Sequence, residues 1–161
     1  MQASRWRGLR WLEGAQNGDG GFGDTTRSFS NLSTTVLVWS AFGAAGRDGE
    51  TVERLARWIV KACGSLDPEV LAEKIAARYG KDRTFSVPIL MMAALGGRLG
   101  PPDQAWRRVL PLPFELAAVP RRWFAAMQMP VVSYALPALI AIGQARYRHA
   151  PPPAPLRWLR E

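Results

Sequence analysis

Apolar residues recur at helical spacing along almost the whole chain of 161 residues, and strict alternation of apolar and polar positions is nearly absent. This periodicity predicts an all-α protein. Two kinds of helix are expected: segment 52–60 has one apolar stripe, whereas segments 36–42 and 86–95 are apolar nearly all round. A helix that is apolar all round has to be covered on several sides, so the second kind belongs inside an assembly.

Local signals indicate where several helices begin. Asn31 and Ser33 are candidate N-caps for the first apolar helix, and Asp67 followed by Pro68 marks the start of a fourth helix. Pro88 is expected in the first turn of the fifth helix, which we predict from about residue 86 to 95, because proline is tolerated there. These signals predict separate helices of ordinary length.

The second half of the chain contains more proline. Residues 101–120 are predicted to form an extended connection with one short helix around Trp106, and 151–155 a stiff linker. Two further helical stretches are expected at 121–128 and 131–145. The most apolar stretch, 131–143, is too short to cross a bilayer, and the amino-terminal residues have no apolar run typical of a signal peptide. We therefore expect a cytoplasmic protein, at most peripheral to a membrane.

Charge is concentrated in the second half of the chain. The first 80 residues hold 10 Lys+Arg and 9 Asp+Glu, and the remaining residues hold 11 and 4, so the net charge of +8 divides into +1 and +7. A basic excess fits a solvated arginine-rich face, an anionic membrane surface or nucleic acid. The chain has no recognised motif for reading a nucleic-acid groove, which disfavours the last of these.

The composition disfavours metal and thiol chemistry. Cys63 is the sole cysteine, so no internal disulfide can form, and His149 is the sole histidine, which disfavours a zinc site. Cys63 lies on the apolar stripe of the third helix and is interpreted as a buried, inert thiol. His149 is expected to be exposed, and Glu115 to pair with an arginine. We expect no cofactor.

An Arg-Trp dipeptide followed by an apolar residue occurs four times, at residues 10–12, 57–59, 122–124 and 157–159. The first two copies are 47 residues apart, which fits one pair of helices per repeat. Each tryptophan is expected to pack where one helix pair meets the next. Apolar helices that alternate with amphipathic ones predict two concentric layers, as in an α/α toroid, with a four-helix bundle as the alternative.

The most specific local motif lies near the amino terminus and consists of Arg7, Gly8, Trp11, Gln16, Gly20 and Phe22. Its spacing resembles the Gln-Trp repeat of squalene-hopene cyclases and related class II triterpene cyclases, with Phe22 in place of the family's tryptophan. The motif is structural: Gln16 can bond backbone groups of the following turn while an aromatic ring stacks against it. A weak calcium loop on Asp19 and Asp24 is an alternative, but it needs further oxygen ligands at fixed spacing.

Later segments resemble the same family in the same order, namely Ser33-Thr34-Thr35, Arg83-Thr84-Phe85, residues 106–115 and Ser133-Tyr134-Ala135. The resemblance covers nearly the whole chain but only the amino-terminal part of a full cyclase, with residues 64–81 as an additional helix. It implies that residues 1–150 form an amino-terminal helical domain, an incomplete toroid. Residues 151–161 would then be a proline-rich linker and the start of a further repeat.

The resemblance also implies a chemistry. Family enzymes are isomerases that protonate a terminal double bond of squalene with the central Asp of an Asp-x-Asp-Asp motif and stabilise carbocations on aromatic faces in a dry cavity. By motif position Phe85 and Tyr134 would line that cavity, with packing in the core as an equal alternative for Phe85. The sequence contains no Asp-x-Asp-Asp, and Asp48 and Glu50 are placed as expected for a helix start. We therefore predict no catalytic residue in this chain.

Three functions stay open at the level of sequence. The chain is the amino-terminal domain of a cyclase-like protein of triterpenoid or hopanoid biosynthesis, a non-catalytic module that binds an isoprenoid or a protein, or an arginine-rich binder of a membrane surface or nucleic acid. The expected partners are a squalene-like isoprenoid, a membrane surface, and the missing catalytic half or a second copy of the chain.

Overall fold

The structure is a computed structural model and describes residues 2–80, 82–112, 122 and 136–151. Every regular element in these ranges is helical, which confirms the all-α prediction. The helices are α1 (Gln2–Ala15), α2 (Leu32–Ala44), α3 (Glu50–Cys63), α4 (Pro68–Tyr79), α5 (Arg83–Leu95), α6 (Pro102–Arg108) and α7 (Leu136–His149). The predicted helix at 121–128 lies outside the described residues except for Arg122, as do Glu115 and the first part of the stretch predicted at 131–145.

Side-chain caps explain where α2 and α4 begin. The Asn31 side chain accepts a hydrogen bond from the Thr34 amide at 3.0 Å, and the Asp67 carboxylate accepts from two backbone amides of α4. Both predicted caps are confirmed. Ser33 is wrong as a cap: it lies buried inside α2, where its hydroxyl hydrogen-bonds the Tyr79 hydroxyl at 2.7 Å.

The fifth helix begins earlier than predicted. Asp82 caps it by accepting a hydrogen bond from the Thr84 amide at 2.9 Å, so α5 begins at Arg83. Pro88 is consequently inside the helix, and its placement in the first turn is wrong. Because proline has no N–H, the helix forgoes the bond that residue 88 would donate to the Thr84 carbonyl.

Contacts connect the helices in two rows. The first row is α2, α5 and α7, and the second row is α3, α4 and α6. Between the rows, α2 contacts α3, α5 contacts both α4 and α6, and α7 contacts α6. The fully buried core includes Phe42, Leu55, Ile59, Leu71, Ile75 and Leu90. Helices of both rows contribute to this core, so the two rows pack against each other along it.

Helices α2 and α5 run in the same direction. Near their starts, Ser33 and Phe85 both contact Tyr79, and at their ends Gly43 meets Gly96. The two helices are therefore parallel neighbours.

The ends of α2 and α5 approach at backbone distance. A Cβ on Gly96 would lie 2.5 Å from the Ser40 carbonyl oxygen, and a Cβ on Gly43 would meet the Gly96 carbonyl oxygen. Arg98 covers this contact, since its Nε donates to the Trp39 carbonyl at 3.1 Å and its guanidinium lies 4.4 Å from the centre of the Trp39 ring. Only glycine fits at this crossing.

Candidate functional site

Helices of the two rows expose different side chains. The exposed side chains of α3 and α4 are mostly charged, and include Glu50, Glu53, Arg57, Lys61, Glu69, Glu73, Lys74 and Arg78. By contrast, α2 contains no charged residue, and α5 has only Arg83, at its first position. Water-facing helices normally carry a polar face, so α2 and α5 lack the usual surface of a solvated helix.

The exposed side of α5 carries four apolar residues at i, i+3, i+7 and i+10 spacing, here called the apolar face: Phe85, Pro88, Met92 and Leu95. Phe85 is 57% exposed and Leu95 is 55% exposed, while the other two are half-buried. On the opposite side of the helix, Leu90 is fully buried in the core. Helix α5 is thus apolar toward the core and apolar toward the outside.

Phe85 is held at the start of the apolar face by Tyr79. The two rings stack with centroids 5.8 Å apart and an angle of 24° between their planes, and the Tyr79 hydroxyl is fixed by Ser33. The interpretation of Phe85 as a core residue is therefore wrong, because more than half of its side chain faces away from the core. Its place in a cavity wall stays a prediction. Tyr134, the other predicted cavity residue, lies outside the described residues.

The amino-terminal motif forms a joint between the turn after α1 and helix α3. The Gln16 amide donates to the Gly20 carbonyl at 2.9 Å and to the Thr51 carbonyl, in the first turn of α3, at 3.1 Å. From the other side, the Arg54 guanidinium donates to two carbonyls of the turn, each at 3.1 Å. The motif glutamine therefore links the turn after α1 to helix α3 through backbone acceptors.

Glycine is required at two positions of this turn. Gly20 has φ +90°, which L-residues seldom adopt, and a Cβ there would lie 3.1 Å from the Arg54 carbonyl oxygen. Gly21 lies under the Trp58 indole, whose Cε2 would be 2.8 Å from an added Cβ. The aromatic ring that covers the turn is therefore Trp58 of α3, while Phe22 is buried in the core.

The Asp19 carboxylate organises the same turn. It accepts hydrogen bonds from the Ser30 hydroxyl at 2.7 Å, the Gly21 amide at 3.0 Å and the Trp58 indole N–H at 2.9 Å. These bonds, the Ser30 one most of all, lower the pKa of Asp19, although partial desolvation opposes them. Asp19 thus fixes the turn and joins it to α3.

Asp24 has a similar structural use. Its carboxylate accepts from the Thr34 hydroxyl at 2.6 Å and from the Asn31 side-chain amide at 2.9 Å, and these bonds lower its pKa. Both acids of the calcium alternative are thus engaged in hydrogen bonds of the loop itself. In the part of the chain that the structure describes, no group of three His, Cys, Asp or Glu side chains is placed to hold a metal ion.

The role of Asp19 can be tested by its pH dependence. Folding lowers the pKa of this carboxylate, so the carboxylate stabilises the folded state at any pH above its ordinary pKa, near 3.8. That stabilisation is lost as the pH falls through the lowered pKa. We expect Asp19→Asn to cost about 1 kcal/mol of unfolding free energy at pH 6, a figure reduced for solvent exposure. The cost should shrink between pH 4 and pH 2. Urea unfolding at several pH values measures it, with Glu73→Gln on the exposed side of α4 as control. A cost that does not depend on pH would contradict the assignment.

The remaining motif residues lie on α1 and face solvent. Arg7, Gly8 and Trp11 are all exposed, and Trp11 is 61% exposed. The expectation that each repeat tryptophan packs between helix pairs thus holds for Trp58 and fails for Trp11 in the described residues. Helix α1 is held to the rest of the molecule in part by Glu13, which pairs with Arg47 at 2.9 Å.

The single cysteine and histidine are placed as expected. Cys63 is buried at the end of α3, where burial raises the pKa of its thiol, as suits an unreactive side chain. His149 is exposed, and its ring stacks on Trp106 with centroids 4.8 Å apart. Neither residue lies on the apolar face of α5.

Neither Asp19 nor Arg54 stands out in the sequence as a joint residue. The signal that could have identified Arg54 is its spacing, because Arg54 and Trp58 follow Arg7 and Trp11 by 47 residues each.

Among the helices described, none has the length and apolar character needed to span a bilayer. No family model, curated protein or solved structure matches this chain. Function therefore has to be inferred from the residue pattern and the geometry.

Proposed function

We propose that this chain is the amino-terminal helical domain of a squalene-hopene-cyclase-like protein, and that the apolar face of α5 forms part of the wall of an isoprenoid cavity. The observation that carries the proposal is the exposure of Phe85 and Leu95 on a helix of the first row, while α3 and α4 expose charge. In a double-layered ring of helices, the inner layer is apolar on both sides and the outer layer meets water.

The arrangement of the helices supports the ring. Helices α2 and α5 are parallel neighbours, and the motif around Gln16 links the turn after α1 to α3 by backbone hydrogen bonds. An α/α toroid has these two features, parallel helices in one layer and links between successive repeats. The toroid is therefore part of the proposal, with the first row as its inner layer and the second row as its outer layer.

The apolar face suits a neutral hydrocarbon. Burial of apolar surface contributes roughly 25 cal/mol per Å², without any requirement for charge. Its aromatic member, Phe85, could also stabilise a carbocation by cation–π attraction of about 2 kcal/mol in a desolvated site. A hydrocarbon of this class partitions into lipid, so the proposal includes peripheral association with a membrane surface in the cytoplasm.

The chain alone is not expected to cyclise squalene. The apolar face contains no acid, and the sequence has no Asp-x-Asp-Asp from which a proton could be transferred to an alkene. Incubation of purified chain with squalene, followed by gas chromatography of the extract, should return only squalene. A cyclised product would contradict this prediction.

Binding tests the proposal directly. Purified chain is titrated with radiolabelled squalene in detergent micelles, and we expect Leu95→Asp to weaken retention at least tenfold, since a carboxylate in contact with hydrocarbon loses its hydration. Val60→Asp is the matched control. Val60 is 41% exposed on α3, so this substitution adds the same charge to the second row of helices instead of the first. A tenfold increase in NaCl should leave binding unchanged, whereas phosphate binding would fall steeply. Equal losses in both variants, or strong salt dependence, would count against the proposal.

The second candidate is a non-catalytic module that binds an isoprenoid or a protein, and the apolar face, which carries no acid, suits such binding as well. The two candidates differ in what a catalytic half would do. Co-expression with the catalytic part of a squalene-hopene cyclase, itself inactive without an amino-terminal domain, should yield cyclised product under the first candidate and none under the second.

A further inference from the structure

The 47-residue repeat relates α1 to α3. In this register Arg7 corresponds to Arg54, and Trp11 corresponds to Trp58. Two residues that make defined contacts in α3 thus have counterparts of identical type at the same spacing in α1. The surroundings of Arg54 and Trp58 therefore serve as the guide to what Arg7 and Trp11 can bind.

In α3 this pair of residues binds a turn. The Arg54 guanidinium donates to the carbonyls of Asn17 and Gly18, each at 3.1 Å. The Trp58 indole N–H donates to the Asp19 carboxylate at 2.9 Å, and the indole ring covers a glycine. The bound element is therefore a glycine-rich, acidic turn at the end of a helix.

In α1 the same pair is open. Arg7 is exposed, Trp11 is 61% exposed, and neither has a hydrogen-bond partner among the described residues. Beside Trp11 lies an open groove of about 510 Å³ between α1 and the end of α2, with an almost wholly apolar lining that includes Leu9, Leu12, Ala41 and Ala44. The hydrogen-bond donors and the apolar contact surface are thus both available.

We propose that Arg7, Trp11 and the adjoining groove form a docking site for a partner protein that presents an acidic, glycine-rich turn at the end of a helix. Backbone carbonyls of that turn accept from Arg7, its carboxylate accepts from the Trp11 indole, and apolar side chains of the partner helix fill the groove. The site does not include the apolar face of α5, so it is independent of isoprenoid binding.

Two observations favour such a partner over a second copy of the chain. Arg7 and Arg10 are both exposed on this face and the whole chain carries a net charge of +8, so two copies that met here would bring like charges together. The chain's own acidic turn, residues 16–21, is already occupied by α3. A second copy therefore has no free turn of this kind to offer.

The experiment uses the full chain with an extra segment added at its amino end. The segment is a second copy of residues 2–24, in which both tryptophans are replaced by Phe, and a flexible Gly/Ser linker joins it to the chain. Such a linker gives an effective concentration on the order of millimolar, enough to fill a weak site. The chain is labelled with 5-fluorotryptophan, and its seven native indoles are observed by fluorine NMR. The Trp11 signal is assigned with Trp11→Phe.

We expect the solvent-isotope shift of the Trp11 signal to be lost in the extended chain. The shift should return when the added copy carries Asp19→Asn, and also when the original chain carries Arg7→Ala. It should stay lost in the control variant, Arg57→Ala on α3. The proposal is overturned if Trp11 stays exposed in the extended chain, or if the Asp and Asn extensions cover it equally. Concentration-dependent covering of Trp11 in the unextended chain would assign the site to a second copy instead and would likewise overturn it.

Discussion

Gly43→Ala is expected to lower the free energy of unfolding by about 3 kcal/mol, at the upper end of the cost of overpacking. The added Cβ would meet the Gly96 carbonyl oxygen and the Arg98 guanidinium where α2 and α5 end. A side chain could rotate away, but a backbone carbonyl at a helix end cannot move without shifting α5. Urea unfolding followed by circular dichroism measures the loss.

Gly14→Ala provides the matched control. Gly14 is also in a helix, and an added Cβ there would have no heavy atom within 4 Å. Alanine favours helix over glycine by up to about 1 kcal/mol, so this variant should be as stable as the wild type or more stable. If Gly43→Ala behaved in the same way, the close approach of α2 and α5, and with it their place in one layer, would be wrong.

Leu90→Ala and Leu95→Ala are expected to differ greatly, although they make the same change in the same helix. Leu90 is fully buried, so its truncation should cost about 2–5 kcal/mol through lost burial and the cavity left behind. Leu95 is 55% exposed on the apolar face, and its truncation should cost less than about 1 kcal/mol. Chemical unfolding of the two variants under identical conditions measures the difference.

The same pair of variants separates folding from binding. Leu95→Ala should retain the fold and still weaken the retention of squalene, whereas Leu90→Ala should affect retention only in proportion to the unfolded fraction. Equal losses of stability would show that Leu95 is packed in the core. The apolar face, and the cavity wall proposed from it, would then have no basis.

Local physics made parts of the fold predictable. Asn31 and Asp67 cap helices because a short polar side chain reaches the nearby amides, and such contacts are encoded within a few residues. The stripe of α3, including Leu55 and Ile59, follows from the helical period, and both residues are buried. The position of Pro88 within α5 was predicted wrongly, because it depends on which residue caps the helix. Asp82 is the cap, but residues close to it in the chain are also possible caps.

Contacts between distant segments were not predictable in the same way. The meeting of Gly43 with Gly96 depends on the relative placement of two helices, which no local pattern records. The pairing of Asp19 with Trp58 joins residues far apart in the chain and forms only when the turn after α1 lies on α3. The sequence was equally compatible with Phe85 in the core and with Phe85 on an open face. Helical periodicity gives the direction of a side chain around the helix axis, but it does not say which side of the helix other helices cover.

The sequence by itself determined that the chain is helical, which residues begin two of its helices, which helices carry charge and which do not, and that a 47-residue spacing relates two Arg-Trp pairs. Tertiary structure alone decided that Trp58 is bound by a turn while Trp11 is open, that α2 and α5 are parallel, and that Phe85 and Leu95 face outward. The physical reason is that hydrophobic patterning records how much apolar surface a helix has to bury. Which neighbour buries it is set by packing between segments that are distant in sequence.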